Sequence, residues 1–324
     1  MRKEFGGYLP LELNARKREY YQKTGEFDVI RFNNGRATFF HAAKEQKMKK
    51  IFLPYFTCPE TESPFVALNV EVEYYFLTDQ LTPKNIKPND NEYIFWTNYY
   101  GNASEVEKAF MVKNYKNLII DNCQAFFSPP LEGAFNCYST RKFFGVSDGA
   151  YLIKDNFCLS TTVAKDTSYA NAVHLIKQWD TGINSGYPDN LCNENRLSNN
   201  YKAMSRFTQK LLETIDYKKV KKKRRENFLT LHEILSKKNE FPINLMSETH
   251  MYYPFLIEQE NLRYKLINDK VFNPFWWEHV LDLVPKSSIE YRLAKYTVML
   301  PIDQRYSTND IIEIGNIVKS NICE

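Results

Sequence analysis

The stretch 117–150, NLIIDNCQAFFSPPLEGAFNCYSTRKFFGVSDGA, decides the fold of this chain. It begins with the apolar run LII at 118–120, which predicts a short buried strand that ends at the carboxylate of Asp121. A second strand is predicted at 134–138, and it leads into a polar turn, STRK, that ends at Lys142. Two predicted strands therefore each deliver one ionisable side chain.

An aspartate and a lysine presented in this way suit a site for pyridoxal phosphate (PLP). Asp121 would keep the ring nitrogen protonated, so that the ring can act as an electron sink, and Lys142 would form the Schiff base. A less specific interpretation of each residue stays open. Asp121 could cap the end of a strand, and Lys142 could be a surface lysine beside Arg141.

The length and composition restrict the class of protein. The 324 residues exceed one average domain, and 43% hydrophobic with 25% charged residues is ordinary for a soluble globular protein. A net charge of +4 without a reading motif argues against a nucleic-acid binder, and the basic run at 218–225 has acidic neighbours and is interpreted as a solvated helix face. We therefore expect no nucleic-acid partner.

The six cysteines show no C-x-x-C pair, which favours a reduced, cytoplasmic protein. Neither a signal peptide nor an apolar run of about 18 residues is present, so no membrane association is expected. No histidine falls in the candidate site segments, and we expect no metal there.

Alternation of strands and helices predicts an α/β fold with a mostly parallel sheet and helices on both faces. Strand-like runs that alternate with helical segments lie at 29–32, 51–54, 70–77 and 93–97. In such sheets the ligand binds beyond the carboxyl ends of the strands. The residues that follow predicted strand ends are Gly35, Tyr55, Asn98, Asp121 and Lys142.

The segment NNGRA at 33–37 joins the first of these strands to a helix that is predicted to run to about Glu45. Free backbone N–H groups and the helix dipole make such a helix start a ready anion site. A plain turn is the alternative interpretation.

The second half of the chain predicts a smaller α+β domain. We expect a large domain at 1–203, including an N-terminal arm, and a small domain at 204–324. The elements predicted there are a helix at 164–179, a loop at 180–200, a long helix at 203–237, strands at 252–257 and 270–277, and helices at 260–267 and 308–320.

These motifs together resemble the DegT/StrS-type sugar aminotransferases, which are fold type I PLP enzymes. The segments that carry the resemblance are IDNCQA at 120–125, YSTRK at 138–142, GVSDG at 145–149, NGRA at 34–37, PYFTC at 54–58, NYYG at 98–101 and LPI at 300–302. The resemblance covers roughly residues 28–324. It implies a three-layer PLP-transferase-like large domain with a mostly parallel sheet, and a smaller α+β C-terminal domain.

The resemblance also implies residue roles. Lys142 and Asp121 would be catalytic, and Gln124 would lie near the 3-oxygen of the ring. Residues implied to hold the cofactor are Gly35, Arg36, Ala37, Tyr55, Phe56, Cys58, Asn98, Asp121, Gln124, Ser139, Lys142 and Asn200. Gly35, Arg36 and Ala37 would bind its phosphate, with Ser139 adding a hydroxyl.

The chain differs from the family at several of these positions. Arg36 replaces a small hydroxyl residue, and it could bind either the phosphate or a substrate anion. Cys137 replaces a serine. Cys58 stands where an aromatic residue often stacks on the ring, so Tyr55 or Phe56 would have to cover the ring instead.

Fold type I enzymes form homodimers with shared active sites, so the resemblance implies a dimer of this chain. The loop at 180–200 would then reach into the site of the other subunit and present Asn200 there. Trp276 and Trp277 are interpreted either as core or interface aromatics or as a platform for the substrate.

The function implied by the resemblance is PLP-dependent transfer of an amino group from a donor such as glutamate to a keto-sugar. The sugar would be nucleotide-linked and would serve surface polysaccharide or related sugar biosynthesis. A related PLP-dependent dehydratase carries histidine in place of the lysine, and Lys142 argues against it. A non-catalytic descendant that serves as a binding or assembly module in the same kind of pathway is the alternative.

Overall fold

One mixed sheet of seven strands organises the computed structural model, which describes residues 11–13, 18–22, 26–247 and 249–322. Most of the expected N-terminal arm lies outside these residues. The strands are β1 (Phe27–Phe32), β2 (Lys50–Pro54), β3 (Glu71–Tyr75), β4 (Tyr93–Thr97), β5 (Leu118–Asp121), β6 (Phe135–Ser139) and β7 (Ala150–Asp155). Their order is β1-β7-β6-β5-β4-β2-β3, and β7 alone runs against the others.

Helices surround this sheet and a second, two-stranded sheet follows it in the chain. The helices are α1 (Gly35–Glu45), α2 (Ser63–Val66), α3 (Glu105–Asn114), α4 (Val173–Thr181), α5 (Ile183–Leu197), α6 (Arg206–Glu213), α7 (Tyr217–Leu235), α8 (Leu262–Asn268), α9 (Val280–Leu283), α10 (Ile289–Tyr296) and α11 (Thr308–Asn321). Strands β8 (Tyr253–Leu256) and β9 (Thr297–Leu300) pair antiparallel.

Alternate residues of the central strands point to opposite faces of the sheet, and this builds three layers. In β5, Ile119 packs into a core shared with α1 and α2. Its neighbours Leu118 and Ile120 pack into the other core, which includes Met111 of α3 and Leu293 of α10. A separate core joins α7, α8 and α11 to the two-stranded sheet. The expected α/β class with a mostly parallel sheet is confirmed.

Strand β7 is the element of the sheet that the sequence analysis missed. It pairs antiparallel with both β1 and β6, as the second strand from one edge of an otherwise parallel sheet. The Gly-rich segment at 145–149 marked a turn, but the strand that starts directly after it, AYLIKD, is short and buried along its first half.

The expected loop at 180–200 is wrong, because residues 183–197 form helix α5. Gly182, at φ +86°, ends α4 and lets the chain reverse into α5. The two helices then pack so closely that a Cβ on Gly186 would lie 2.8 Å from the carbonyl oxygen of His174. Packing between two helices here overrides the low helix propensity of Asn, Gly and Pro.

Two further elements differ from expectation. The single helix at 203–237 is interrupted after Glu213, and Asp216 caps the start of α7 by accepting the N–H of Lys219. The segment 270–277 is not a strand, and β9 pairs with β8 instead.

Candidate functional site

The carboxyl ends of β1, β4, β5 and β6 meet at one edge of the sheet. Asp121 pairs in register with Thr97 on one side and with Cys137 on the other. Ala150 pairs with both Phe32 and Ser139. The turns that follow these strands are therefore brought together, as the parallel strand pattern predicted.

Asp121 is held rigidly at this edge. Its side chain is buried, and Oδ1 accepts a hydrogen bond from the backbone N–H of Cys123 at 2.9 Å. Its backbone carbonyl accepts the N–H of Asn98 at 3.0 Å. The backbone thus fixes both the position and the direction of the carboxylate.

Lys142 lies three residues beyond β6 with an exposed side chain. Burial, and then the hydrogen bond to Glu60, raise the pKa of the Cys58 thiol to about 12, while the charge of Lys142 acts in the opposite direction. Burial and the charge of Asp121 raise the pKa of Cys123 in the same way, again opposed by Lys142. The lysine amine therefore lies within electrostatic range of both thiols, which stay neutral near pH 7.

The turn before α1 approaches Asp121 through its neighbour Cys123. A Cβ built on Gly35 would lie 3.0 Å from Cys123 Sγ, which is tighter than ordinary van der Waals contact. Asn34 caps the helix, because its Oδ1 accepts the N–H of Ala37 at 2.9 Å. Since the first N–H groups of a helix have no partner inside it, those of Gly35 and Arg36 are left to bind an anion. The N–H of Ala37 is already used.

The close approach at Gly35 gives a testable prediction. We expect Gly35→Ala to lower the free energy of unfolding by about 1 kcal/mol, because the added methyl group overpacks against the Cys123 thiol. Adding Cys123→Ala should restore most of this loss, because it removes the sulfur atom. Urea unfolding of the two single variants and the double variant measures the coupling, and strictly additive effects would contradict the contact.

Two arginines, Arg36 and Arg141, lie near this edge, each beside a glutamate. Burial, and then the neighbouring guanidinium of Arg36, lower the pKa of Arg141 to about 10. Arg141 forms an ion pair with Glu194 of α5. Against the effect of its burial, the hydrogen bond from Cys58 and the nearby charge of Arg36 hold the pKa of Glu60 below its ordinary value. Arg36 makes no ion pair within the described residues.

Gln124 and Ser139 each have, near this edge, a polar group without a hydrogen-bond partner in the described residues. Gln124 is buried, and its Oε1 accepts the N–H of Tyr100 at 2.7 Å. This leaves the NH₂ group of Gln124 without an acceptor in the described part of the chain. The Ser139 hydroxyl, at the end of β6, likewise has no hydrogen-bond partner there.

Asn98, by contrast, uses its side chain to hold a turn. Its Nδ2 donates to Asn122 Oδ1 at 3.0 Å, and its Oδ1 accepts the N–H of Ala103 at 3.2 Å. Asn98 therefore positions the strand-end turns around Asp121, and its role toward a cofactor stays a prediction.

The two aromatic residues after β2 are engaged elsewhere. Tyr55 stacks on Tyr74 with 5.3 Å between ring centroids. Phe56 is fully buried and packs against Tyr99 and Trp277. Neither of these two rings lies over the amine of Lys142.

Asn200 lies beside the turn before α1 of its own chain. Its Oδ1 accepts a hydrogen bond from Asn33 Nδ2 at 3.2 Å, and its carbonyl accepts Asn34 Nδ2 at 2.8 Å. Asn33 also donates to Asp166 at 2.9 Å. Asn200 thus supports the turn from within the chain, and its reach into another subunit stays a prediction.

Two features of the site were not found from the sequence. The contact between Gly35 and Cys123 depends on the distance between two turns, for which a single sequence carries no signal. The ion pair between Arg141 and Glu194 was hidden because α5 was read as a loop. An amphipathic pattern in 183–197 could have revealed that helix.

The arrangement fits the cofactor that the sequence predicts. Asp121 offers a buried carboxylate that could pair with a ring nitrogen. The backbone N–H groups of Gly35 and Arg36 have no acceptor within α1 and could bind a phosphate. The side chain of Lys142, which follows the neighbouring strand β6, is exposed. No three His, Cys, Asp or Glu side chains among the described residues are grouped to hold a metal ion.

None of the helices in the described ranges is long and apolar enough to cross a membrane.

No protein-family model matches the chain, and no curated protein matches it by sequence. Solved structures do match.

A DegT DnrJ EryC1 StrS aminotransferase from Brucella abortus matches over 90% of this chain and 85% of its own, with 13% identity and a TM-score of 0.63. The sugar aminotransferase CalS13 from Micromonospora echinospora matches over 90% and 87%, with 12% identity and a TM-score of 0.62. A structure from Streptococcus pneumoniae in its PMP form matches over 90% and 85%, with 11% identity and a TM-score of 0.65. The chain has the fold of these proteins. The fold implied by the sequence resemblance is confirmed.

Proposed function

We propose that this chain is a PLP-dependent aminotransferase that transfers an amino group from an amino-acid donor, such as glutamate, to a keto-sugar. The observation that carries the proposal is the placement of Asp121 and Lys142 at one sheet edge, beside the free helix start at Gly35. Matched structures include proteins described as sugar aminotransferases, and the Streptococcus pneumoniae protein was also solved in a PLP form. We further propose that the sugar is nucleotide-linked and serves surface polysaccharide or related biosynthesis in the cytoplasm.

When bound, PLP supplies an electron sink for the carbon that exchanges its amino group. The backbone-fixed carboxylate of Asp121 would hold the ring nitrogen protonated through its negative charge. Lys142 would hold the cofactor covalently and, once its amine is released, would carry the proton between the two reacting carbons.

Other residues would orient the cofactor. The N–H groups of Gly35 and Arg36, the Arg36 guanidinium and the Ser139 hydroxyl would bind its phosphate. The NH₂ group of Gln124 would donate to the ring oxygen. None of these groups has a hydrogen-bond partner within the described residues, so each could bind a ligand.

The proposed function is tested by running its two half-reactions one after the other. Protein loaded with PLP should absorb at about 410–430 nm, as expected for this cofactor on a lysine. Addition of glutamate should lower that band and release one 2-oxoglutarate per site, and a keto-sugar should restore the band. A band that no amino acid changes would contradict an aminotransferase.

We also propose that the protein forms a homodimer through the hairpin of α4 and α5. Large apolar side chains are exposed along this hairpin and just before it, at Tyr169, Val173, Ile176, Trp179, Tyr187 and Leu191. The exposed fraction of Trp179 reaches 89%. The base of the hairpin is joined to the site through Arg141 and Glu194, so a second copy that covers the hairpin would lie next to the site.

The dimer is tested by changing this surface alone. We expect Ile176→Glu with Trp179→Glu to give a monomer in analytical ultracentrifugation, because two buried charges would oppose association. Leu229→Glu, which changes an exposed apolar residue on α7, is the control and should leave the dimer intact. A double variant that sediments like the unchanged protein would contradict the proposal.

A further inference from the structure

Trp276 is the aromatic residue that lies over the amine of Lys142. The distance from Lys142 Nζ to the centre of the Trp276 ring is 5.9 Å. Trp276 comes from the C-terminal segment between α8 and α9, whereas the other site residues follow strands of the large sheet. An indole from a separate part of the chain therefore lies over the amine of Lys142.

Three rings fix the orientation of this indole. Tyr100 and Trp277 are both nearly parallel to Trp276, at interplanar angles of 18° and 12°, each with its ring centroid 5.6 Å away. The edge of Tyr252 meets it at 82° and 5.6 Å. Trp276 is only partly buried, so part of its surface stays open to the site.

The backbone beside Trp276 is in an unusual conformation. Trp277 has φ +77°, in the left-handed region that a bulky residue rarely adopts. The two neighbouring indoles are stacked there, although adjacent side chains in an extended chain point apart. Such outliers concentrate at ligand sites, where the surrounding structure holds them. Here Phe56 packs against Trp277 at 4.8 Å.

The chemistry of the contact indicates what Trp276 would bind. The face of an indole is electron-rich and attracts cations. With Lys142 Nζ 5.9 Å from the ring centre, a planar group attached to it in this position would lie next to the indole. A pyridine ring kept protonated by Asp121 would be electron-poor, and it would complement the indole. Phe56 is fully buried, and Cys58 offers only a neutral thiol.

We propose that Trp276 is a cofactor-contacting residue that packs against the PLP ring at Lys142, and that Trp277 and Tyr100 hold it in place. This proposal rests on the proposed function. It gives the C-terminal segment a direct part in cofactor binding, so the cofactor would tie that segment to the large sheet.

Titration of the apoprotein with PLP tests the proposal. We expect Trp276→Leu to raise the dissociation constant about tenfold and Trp276→Phe about threefold, because phenylalanine keeps a ring but is the weaker partner for a cation. The circular dichroism of the bound cofactor in the visible range should shrink in the same order. Phe110→Leu, at an exposed position on α3, is the control and should match the unchanged protein.

Thermal melting separates contact from packing. Saturating PLP should raise the melting temperature of the unchanged protein more than that of Trp276→Leu at equal PLP concentration, because stabilisation follows the dissociation constant. If Trp276→Leu does not fold, Trp276→Phe alone decides. Unchanged affinity and unchanged visible dichroism in Trp276→Phe and in any folded Trp276→Leu protein would overturn the inference. An unchanged protein that never forms the visible band would instead overturn the proposed function.

Discussion

Replacing Lys142 with alanine is expected to remove the visible absorption band and to lower the rate of amino transfer by about a thousandfold or more. The variant loses both the covalent hold on the cofactor and the group that carries the proton. Lys142 is exposed and makes no hydrogen bond or ion pair with a described residue. The free energy of unfolding of the apoprotein should therefore change by less than about 0.5 kcal/mol.

Two controls make this result specific. Lys142→Arg keeps the positive charge but cannot form the Schiff base, so it should lose the band as completely as alanine does. Lys319→Ala removes an exposed lysine of α11 and should keep both the band and the rate. A band that survives in Lys142→Ala would show that another lysine holds the cofactor.

The second large effect is expected at Asp121. Asp121→Asn keeps an oxygen that can accept the N–H of Cys123, but it removes the negative charge that would hold the ring nitrogen protonated. We expect the rate of amino transfer to fall by about a hundred- to a thousandfold, a loss of the size found for groups that control a proton. The free energy of unfolding should stay within about 0.5 kcal/mol.

Asp121→Ala separates the two roles of this carboxylate. It also leaves the N–H of Cys123 without its acceptor. The free energy of unfolding should therefore fall by about 1–3 kcal/mol more than in Asp121→Asn. The rate of amino transfer and the free energy of unfolding in urea should be measured for both variants and compared. A fully active Asp121→Asn protein would show that the carboxylate only shapes the strand end.

The edge of the sheet could be predicted because its strands are short apolar runs that stop at polar residues. The run LII at 118–120 had to be buried, and Asp121 then had to lie at the end of its strand. The same reasoning placed Gly35 and Lys142. Parallel strands present their carboxyl ends together, so one sequence was enough to bring these residues to one edge.

Contacts between distant segments could not be predicted in this way. The close approach of Gly35 to Cys123 and the hydrogen bonds of Asn200 to its own turn depend on how turns pack, not on periodicity. The hairpin of α4 and α5 was missed because its stability comes from packing between the two helices. The segment 270–277 was predicted as a strand, but Lys270 and Trp277 at its two ends have φ of +66° and +77°, outside the extended conformation of a strand.

The most direct test of the central claim is to trap the cofactor on the protein. Borohydride converts a Schiff base into a stable amine, so PLP-loaded protein can be reduced, digested and mapped by mass spectrometry. We predict that the phosphopyridoxyl group is found on the peptide that contains Lys142, at one group per chain. Its absence from Lys142, or its scatter over exposed lysines such as those of α7, would contradict the proposed function.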